Sequence, residues 1–214
     1  MARTKHKKLN EVAHLENVFD FKGGNTEEEL ISKFNNLNSI SLEIGCGEGD
    51  YTISLAQLFP KRNFVGIDFK GARIYIGAKK ALEDKISNAA FLWINAEKLP
   101  EFFKITKIDE IFITFPEPHI KRRSERKRLV SPRFLEIYKQ ILKPDGHIHL
   151  KTDDDFLYKY AMETLLKEKH KILFNYDDLY SETGLDQIKS IKTRYERYYL
   201  KEGRKIKYIE FVLG

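Results

Sequence analysis

Short apolar runs alternate with amphipathic segments along most of the chain, beginning near residue 40. The runs that are rich in β-branched and aromatic residues predict strands at 39–44, 63–68, 89–95, 109–115 and 147–152. The segments with helical periodicity predict helices at 50–59, 71–86, 97–103, 132–142 and 155–168. Pro132 suits the first turn of its helix after Ser131 as the N-cap, and residues 143–146 indicate a helix end and a turn. Strands that alternate with helices in this way are typical of βαβ units and a parallel sheet.

Two further apolar runs follow, at 171–176 and 206–213, with a polar stretch between them. We expect these two strands to pair antiparallel at the edge of a mixed sheet. The prediction is therefore an α/β protein with a mostly parallel, seven-stranded sheet, flanked by helices and carrying an antiparallel C-terminal edge strand. A length of 214 residues and a hydrophobic content of 42% suit one core. We expect a basic N-terminal arm at residues 1–20 and a single domain at 21–214.

The composition adds a modest basic excess, with 38 Lys and Arg against 32 Asp and Glu. This balance is compatible with nucleic acid or another anionic partner. The lone cysteine, Cys46, excludes an internal disulfide, and no Cys and His cluster has zinc-ligand spacing. No apolar segment resembles a signal peptide or reaches the length of a membrane span. We therefore expect a cytoplasmic protein without a structural metal and without membrane insertion.

A glycine loop follows the first strand directly, with Gly45, Gly47 and Gly49 placed where backbone can approach a ligand closely. Its G-x-G-x-G spacing differs from the G-x-G-x-x-G fingerprint of dinucleotide-binding proteins. Glu43 and Glu48 add negative charge that would repel a pyrophosphate. A ligand with an ammonium and a sulfonium centre is favoured by such neighbours. The loop therefore predicts S-adenosylmethionine as the cofactor.

Polar residues also end the next two strands, where an open α/β sheet binds its ligand. The carboxylate of Asp68 is suited to accept from two ribose hydroxyls, and the amide of Asn95 is suited to read an adenine edge. The alternatives are that the glycines form a structural turn, that Asp68 caps a helix and that Asn95 occupies a loop. Because three successive strand ends suit one cofactor, we favour the cofactor site.

The fourth strand is followed by ITFPEPHIKRRSERKRLVSPRFL, in which six of the eight residues at 121–128 are basic. A Thr-Asp pair, Thr152 and Asp153, follows the fifth strand, and a Thr-x-Tyr-Glu segment begins at Thr193. Together with the glycine loop, these motifs resemble the bacterial-type tRNA (guanine-N7-)-methyltransferase family. That family has an Asp-Pro-Trp-Pro-Lys segment and a basic run after its fourth strand. The resemblance covers roughly residues 10–213.

The resemblance implies a Rossmann-like class I fold and methyl transfer from S-adenosylmethionine to N7 of a guanosine in tRNA. It places Glu117 at the position of the family's aspartate, as a catalytic and cofactor-binding residue. It implies a set of substrate-binding residues: Lys121, Arg126, Lys127, Arg128, Asp153, Thr193, Tyr195 and Glu196. The chain departs from the family at Glu117 itself, at His119 and Ile120, and at Asp68, where the family usually carries glutamate.

Guanine N7 carries an in-plane lone pair and needs no general base, so positioning is expected to dominate catalysis. A nearby carboxylate would stabilise the cationic product and accept from the N1 and N2 protons, and the candidates are Glu117, Asp153 and Glu196. Each has a structural alternative. Glu117 would be a surface turn residue, Asp153 a helix cap, and Glu196 a partner of Arg194 or Arg197.

The basic run is either a solvated loop or a surface that holds RNA phosphates by counterion release. Two other functions stay open from the sequence. The same fold would serve a methyltransferase with another substrate, such as a protein or small molecule, or an RNA-binding protein without catalysis. Nothing in the sequence requires a protein partner.

Overall fold

Eight strands form a single sheet in the computed structural model, which describes residues 8–214. They are β1 Val18–Asp20, β2 Ile40–Ile44, β3 Asn63–Asp68, β4 Ala89–Trp93, β5 Ile108–Thr114, β6 Leu142–Thr152, β7 Lys171–Tyr176 and β8 Lys207–Val212. Their order is β1-β4-β3-β2-β5-β6-β8-β7. The pairs from β1 to β6 are parallel, whereas β8 is antiparallel to both β6 and β7. This confirms the predicted mostly parallel sheet with antiparallel C-terminal strands.

The helices are α1 Glu27–Phe34, α2 Asp50–Leu58, α3 Gly71–Glu83, α4 Leu99–Phe102, α5 Pro132–Ile141, α6 Asp155–Lys167, α7 Gln187–Ser190 and α8 Arg194–Lys201. Residues 8–12 are also helical. All five predicted helices are confirmed within a few residues, although the one at 97–103 starts as a 3-10 turn, Ala96–Lys98. The elements β1, α1, α7 and α8 are not among those predicted from the sequence. None of the helices in the described part of the chain is long and apolar enough to cross a membrane.

Two details of the predicted sheet are wrong. The sheet has eight strands rather than seven, because the three-residue strand β1 pairs with β4 through Val18 and Phe91. The C-terminal strand β8 lies between β6 and β7, so β7 is the edge strand. Burial follows this order: five of the six residues of β8 are buried, whereas none in β7 is.

The N-terminal boundary also differs from the one expected at residue 21. Residues 1–7 of the predicted arm lie outside the described residues. Val12 is fully buried, and Val18 and Phe19 in β1 are 6% and 7% exposed. Residues 12–20 therefore pack with the domain.

The predicted turn at residues 143–146 lies inside β6 as an irregularity of the sheet. The pairing of β5 with β6 shifts register between Ile108 and Glu110, and Asp145 has a φ of 59°. Leu142 pairs with Ile108, residues 143–146 have no partner in β5, and the pairing resumes at His147 with Glu110. Helix α5 therefore passes into β6 without a separate loop.

Helices cover both faces of the sheet. Helices α1, α5 and α6 pack on one face through residues such as Leu30, Phe134 and Leu157. Helices α2 and α3 pack on the other through residues such as Tyr51 and Ile74. The central strands are buried on both faces, which explains their continuous apolar runs in the sequence.

The strand order places a crevice at the carboxyl end of β2. From β2 the chain builds β3 and β4 on one side, and then returns to place β5 on the other side. Ligands of open α/β sheets bind at such a switch point, outside the carboxyl ends of the strands. The glycine loop leaves β2 at this point.

Candidate active site

The glycine loop adopts the left-handed backbone that its residue types allow. Gly45, Gly47 and Gly49 have φ values of 78°, 58° and 75°. A Cβ on Gly49 would lie 2.6 Å from the Phe91 ring, so this glycine is needed for packing. A Cβ on Gly47 would meet nothing within 4 Å, so this glycine borders open space. Gly47 is therefore the position where backbone is available to a ligand.

Asp68 joins the end of β3 to the glycine loop. One carboxylate oxygen, Oδ2, accepts from the backbone N–H of Gly47 at 3.1 Å, and the other accepts from that of Lys70 at 2.8 Å. The residue is 5% exposed. Each oxygen keeps a second lone pair, so the arrangement suits additional donors such as ribose hydroxyls. The predicted ribose contact remains a prediction.

Replacing Asp68 with alanine is expected to weaken binding of S-adenosylmethionine by about 1.5–3 kcal/mol, as for hydrogen bonds to a charged group. Affinity for tRNA should barely change. Asp109→Ala is a matched control, because Asp109 also accepts a backbone N–H, from Ile40 at 3.1 Å, but lies near the amino end of β5, away from the carboxyl ends of the strands. Calorimetric titration that finds equal cofactor affinity in parent and Asp68→Ala proteins would remove Asp68 from the site.

Glu43 lies beneath the glycine loop. The sequence predicts that it contacts the cofactor, but both oxygens of its carboxylate accept hydrogen bonds from the protein. Its Oε2 accepts from the backbone N–H of Thr52 at 2.9 Å and from the Thr52 hydroxyl at 2.5 Å, and its Oε1 accepts from the Thr114 hydroxyl at 2.7 Å. Burial raises the pKa of Glu43 to about 7, although these hydrogen bonds oppose the shift. Glu43 therefore joins β2 to α2 and β5 beneath the ligand crevice.

Asn95 is exposed beyond the end of β4, in the predicted place. Its Oδ1 caps the following 3-10 turn by accepting from the backbone N–H of Glu97 at 3.1 Å. Its amide nitrogen donates no hydrogen bond within residues 8–214. The cap and an adenine contact are compatible, because they use different atoms of the amide.

The segment after β5 is a loop with an unusual backbone. Phe115 and His119 have φ values of 48° and 45°, and such left-handed residues cost about 1–3 kcal/mol each unless their surroundings fix them. Arg128 supplies part of that support: its guanidinium donates to the carbonyl oxygens of residues 118–120 at 3.1–3.3 Å. It also lies 4.2 Å from the centre of the Tyr160 ring.

Arg128 therefore corrects one sequence prediction. It is 4% exposed and its donors are used by the loop, so its guanidinium is not available to a phosphate. Lys121, Arg126 and Lys127 are exposed and have no ion pair in the described part of the chain. These three cations remain candidates for phosphate contacts.

Glu117 stands at the outer point of this loop, between Pro116 and Pro118. Its side chain is 79% exposed, and its partner is His119, with Nδ1 3.7 Å from Oε1. The loop begins at the end of β5, which pairs with β2, so it starts next to the strand that leads into the glycine loop. Leu129, at the far end of the same segment, would lie 3.7 Å from a Cβ on Gly45. The structure thus presents a carboxylate on an internally supported loop, beside the ligand crevice.

Asp153 does not cap the helix that follows it. The N-cap of α6 is Asp154, whose Oδ1 accepts from the backbone N–H of Leu157 at 2.7 Å. Asp153 instead pairs with Arg204 at 2.8 Å, and its side chain is 16% exposed. The helix-cap alternative is therefore wrong, and a substrate contact by Asp153 remains a prediction.

The Thr-x-Tyr-Glu segment forms the first turn of α8. Thr193 and Glu196 make a capping box, in which each side chain accepts from the other's backbone N–H. Glu196 is fully buried, and its Oε1 lies 2.7 Å from Nζ of Lys151 and accepts from the Tyr180 hydroxyl at 2.5 Å. This corrects two expectations: Glu196 pairs with neither Arg194 nor Arg197, and its carboxylate is not free for guanine.

Helix α8 nevertheless belongs to the site. The Arg194 guanidinium pairs with Glu48 of the glycine loop at 2.5 Å, and the Phe115 and Tyr199 rings lie 5.7 Å apart. Tyr195 is 51% exposed, in keeping with its predicted substrate role. The start of α8 therefore lies against both the glycine loop and the loop after β5.

Sequence reasoning missed Lys151 and Tyr180, which hold Glu196. The signal was present for Lys151, because a lysine interrupts the apolar strand just before Thr152. Its side chain is 1% exposed, and its Nζ also donates to the carbonyl oxygen of Ile191 at 2.8 Å. No comparable pattern marks Tyr180.

One further cluster of the described residues has metal-ligand groups. His147, His149 and Glu210 bring three ligand atoms within 4.8 Å of one another. However, the Lys189 Nζ lies 3.1 Å from Oε2 of Glu210, and the Tyr208 hydroxyl donates to the same oxygen at 3.1 Å. The carboxylate is already balanced by an ammonium, so we propose no metal there. The absence of a structural metal stays a prediction.

The fold and the crevice define a class I methyltransferase. A family model described as "Putative methyltransferase" matches residues 37–209. Among solved structures, the 16S rRNA methyltransferase KamB superposes with a TM-score of 0.66 at 15% identity, covering 88% of this chain and 94% of that one. A variant of the 16S rRNA (adenine(1408)-N(1))-methyltransferase from Catenulisporales acidiphilia, solved with cosubstrate SAM, has a TM-score of 0.61 at 14% identity, covering 87% and 90%. These two likenesses concern the fold alone.

Curated relatives narrow the class. The tRNA (guanine-N(7)-)-methyltransferase of Christiangramia forsetii is 43% identical over 92% of this chain and 86% of its own. That of Bacteroides thetaiotaomicron is 42% identical over 91% of this chain and 75% of its own. The chain belongs to the tRNA (guanine-N(7)-)-methyltransferase family. Its cofactor is S-adenosylmethionine, which suits the open backbone at Gly47 and the acceptor at Asp68.

Proposed function

We propose that this protein transfers a methyl group from S-adenosylmethionine to N7 of a guanosine in tRNA. The observation that carries the proposal is the exposed Glu117 carboxylate on a strained, Arg128-supported loop beside the glycine loop. Such a carboxylate suits the edge of a guanine. The unpaired cations Lys121 and Arg126 follow on the same segment and suit an RNA backbone. The relatives that carry this activity in their names support the same conclusion.

Bound S-adenosylmethionine supplies an electrophilic methyl group on a sulfonium centre. Gly47, Asp68 and Asn95 would hold it at the carboxyl ends of β2 to β4, and Glu117 would approach it from β5. Glu43 supports this arrangement from beneath by joining β2 to β5 through Thr114.

The chain's residues need to position the guanine rather than to remove a proton, because N7 already carries a lone pair. In the proposal the Glu117 carboxylate accepts from the N1 and N2 protons and fixes the ring in the crevice. The same negative charge stabilises the positive charge that develops on the ring. Tyr195 lies in the first turn of α8, and Asp153 directly follows β6. Both are proposed as further substrate contacts.

The function is tested by incubating the protein with bulk unmodified tRNA and labelled S-adenosylmethionine, followed by nucleoside analysis. Label in 7-methylguanosine is the expected result. Label in another nucleoside, or in protein or small molecules alone, would favour a methyltransferase with a different substrate. RNA binding without cofactor binding would favour the non-catalytic alternative.

Replacing Lys121, Arg126 and Lys127 together with glutamine is expected to weaken tRNA binding and flatten its salt dependence. The slope of log affinity against log salt should fall by up to about 0.9 for each lost phosphate contact in duplex-like regions. A matched control replaces three exposed lysines that precede β3 and β4, near the amino ends of these strands: Lys61, Lys80 and Lys85. An unaltered slope in the first variant would make the basic run a solvated loop.

We propose tRNA as the macromolecular partner, and no feature of the described residues calls for a protein partner. A cytoplasmic location remains a prediction from the sequence.

A further inference from the structure

The outer side of α8 carries an unusual combination of side chains. Tyr195 and Tyr198 are 51% and 58% exposed. Residues three or four apart share one side of a helix, so Tyr198 lies beside Tyr195 and Lys201, and Lys201 in turn lies beside Arg197. The inner side is formed instead by Glu196, with Tyr199 and Leu200 packed towards the core.

The cations of this side differ in how they are neutralised. Arg194 is paired with Glu48, and Arg204, just beyond the helix, is paired with Asp153. Arg197 donates only to a backbone carbonyl oxygen, that of Lys192, and Lys201 has no ion pair within residues 8–214. Arg197 and Lys201 thus have no carboxylate partner, whereas the carboxylate beside the Tyr198 hydroxyl, that of Glu202, is paired with Arg204 at 2.8 Å.

Scattered exposed tyrosines are common on protein surfaces and need no function. Here two of them stand one turn apart beside unneutralised cations, on a helix whose first residue forms a salt bridge with Glu48 of the glycine loop. Aromatic faces interleaved with cations are the combination that binds single-stranded nucleic acid, because bases stack on the rings while cations hold the phosphates.

We propose that the outer side of α8 is a stacking surface for unpaired nucleotides next to the target guanosine, with Tyr198 stacking on a base and Arg197 and Lys201 holding phosphates. The proposal rests on the proposed function, because it takes RNA as the substrate. It adds a requirement: the RNA at this surface is unpaired. In an A-form duplex the base faces are stacked on one another and are not available to a tyrosine ring.

The test compares Tyr198→Ala with Tyr198→Phe, which keeps the ring and loses only the hydroxyl. We expect Tyr198→Ala to weaken binding of bulk unmodified tRNA, measured by fluorescence anisotropy at fixed salt, about 5- to 150-fold, the range for loss of one stacked base. Tyr198→Phe should bind like the parent. The salt slope should stay unchanged in both, whereas Arg197→Gln with Lys201→Gln should reduce it by about 0.7 per contact.

Two short RNAs of the same sequence, one single-stranded and one paired with its complement, test the strand requirement. Tyr198→Ala should weaken binding of the single strand and leave duplex binding unchanged. Equal tRNA affinity in the alanine variant and the parent, or equal losses on both short RNAs, would overturn the proposal.

Nucleoside analysis of the parent's product separates failure of the stacking surface from failure of the proposed function. If the parent makes 7-methylguanosine and Tyr198→Ala binds normally, only the stacking surface is refuted. If the parent makes no 7-methylguanosine while Tyr198→Ala still loses single-strand binding, the surface stands and the proposed reaction falls. Thermal unfolding of each variant checks that α8 remains folded.

Discussion

Replacing Glu117 with glutamine is expected to slow methyl transfer about 100-fold or more, the size of effect seen when one preorganised electrostatic group is lost. The substitution keeps the side chain's size but removes its negative charge and replaces one acceptor with a donor. A donor would face the N1 and N2 protons of guanine, and the developing positive charge on the ring would lose its counter-charge. Affinity for tRNA should stay within a few fold, because Lys121, Arg126 and Lys127 hold the backbone.

Single-turnover rates separate chemistry from binding and product release, so they are the measurement for this variant. Glu117→Asp is the conservative control: it restores the family's residue type, keeps the charge and should retain substantial activity. Glu125→Gln is the matched control for charge on the same segment, since Glu125 is half-exposed and lies 3.8 Å from Arg128. A Glu117→Gln variant as fast as the parent would make Glu117 a turn residue and leave Asp153 to orient the base.

The parts of the site that the sequence predicts well are those defined by local geometry. Gly47 and Asp68 follow adjacent parallel strands, and parallel strands bring their carboxyl ends to one edge of the sheet. Their hydrogen bond at 3.1 Å is the direct result of that topology. The position of Glu117 after β5 is predicted for the same reason, since β5 pairs with β2.

The parts that the sequence does not predict depend on contacts between distant segments. Arg128 looks like Arg126 and Lys127 in a basic run, yet it alone is buried, because Tyr160 of α6 covers it. Glu196 has two arginines nearby in sequence, yet its partner is Lys151 on β6. Charge patterns show how many ions a segment carries, but burial decides which of them are structural.

The Lys151–Glu196 pair is expected to have the largest effect on stability. Neither side chain is more than 1% exposed, and their atoms lie 2.7 Å apart. Burial lowers the pKa of Lys151, and the Glu196 charge opposes that shift. Replacing Lys151 with methionine would leave the Glu196 carboxylate buried without its counter-ion. We therefore expect the free energy of unfolding to fall by about 3–5 kcal/mol, as when one partner of a buried pair is removed.

The double variant Lys151→Met with Glu196→Leu should recover most of that loss, because replacing both ions with apolar groups is often neutral or stabilising. Urea unfolding followed by circular dichroism measures both proteins, with the free energy obtained by linear extrapolation. Lys159→Met is the matched control, since Lys159 is 79% exposed and its one ion pair among residues 8–214 is with Glu163, at 4.0 Å. Exposed pairs of this kind contribute about 0–1 kcal/mol.

Two results would contradict this prediction. If Lys151→Met is as stable as the parent, or if the double variant is no more stable than the single one, the buried Lys151–Glu196 pair does not fix α8 to the sheet.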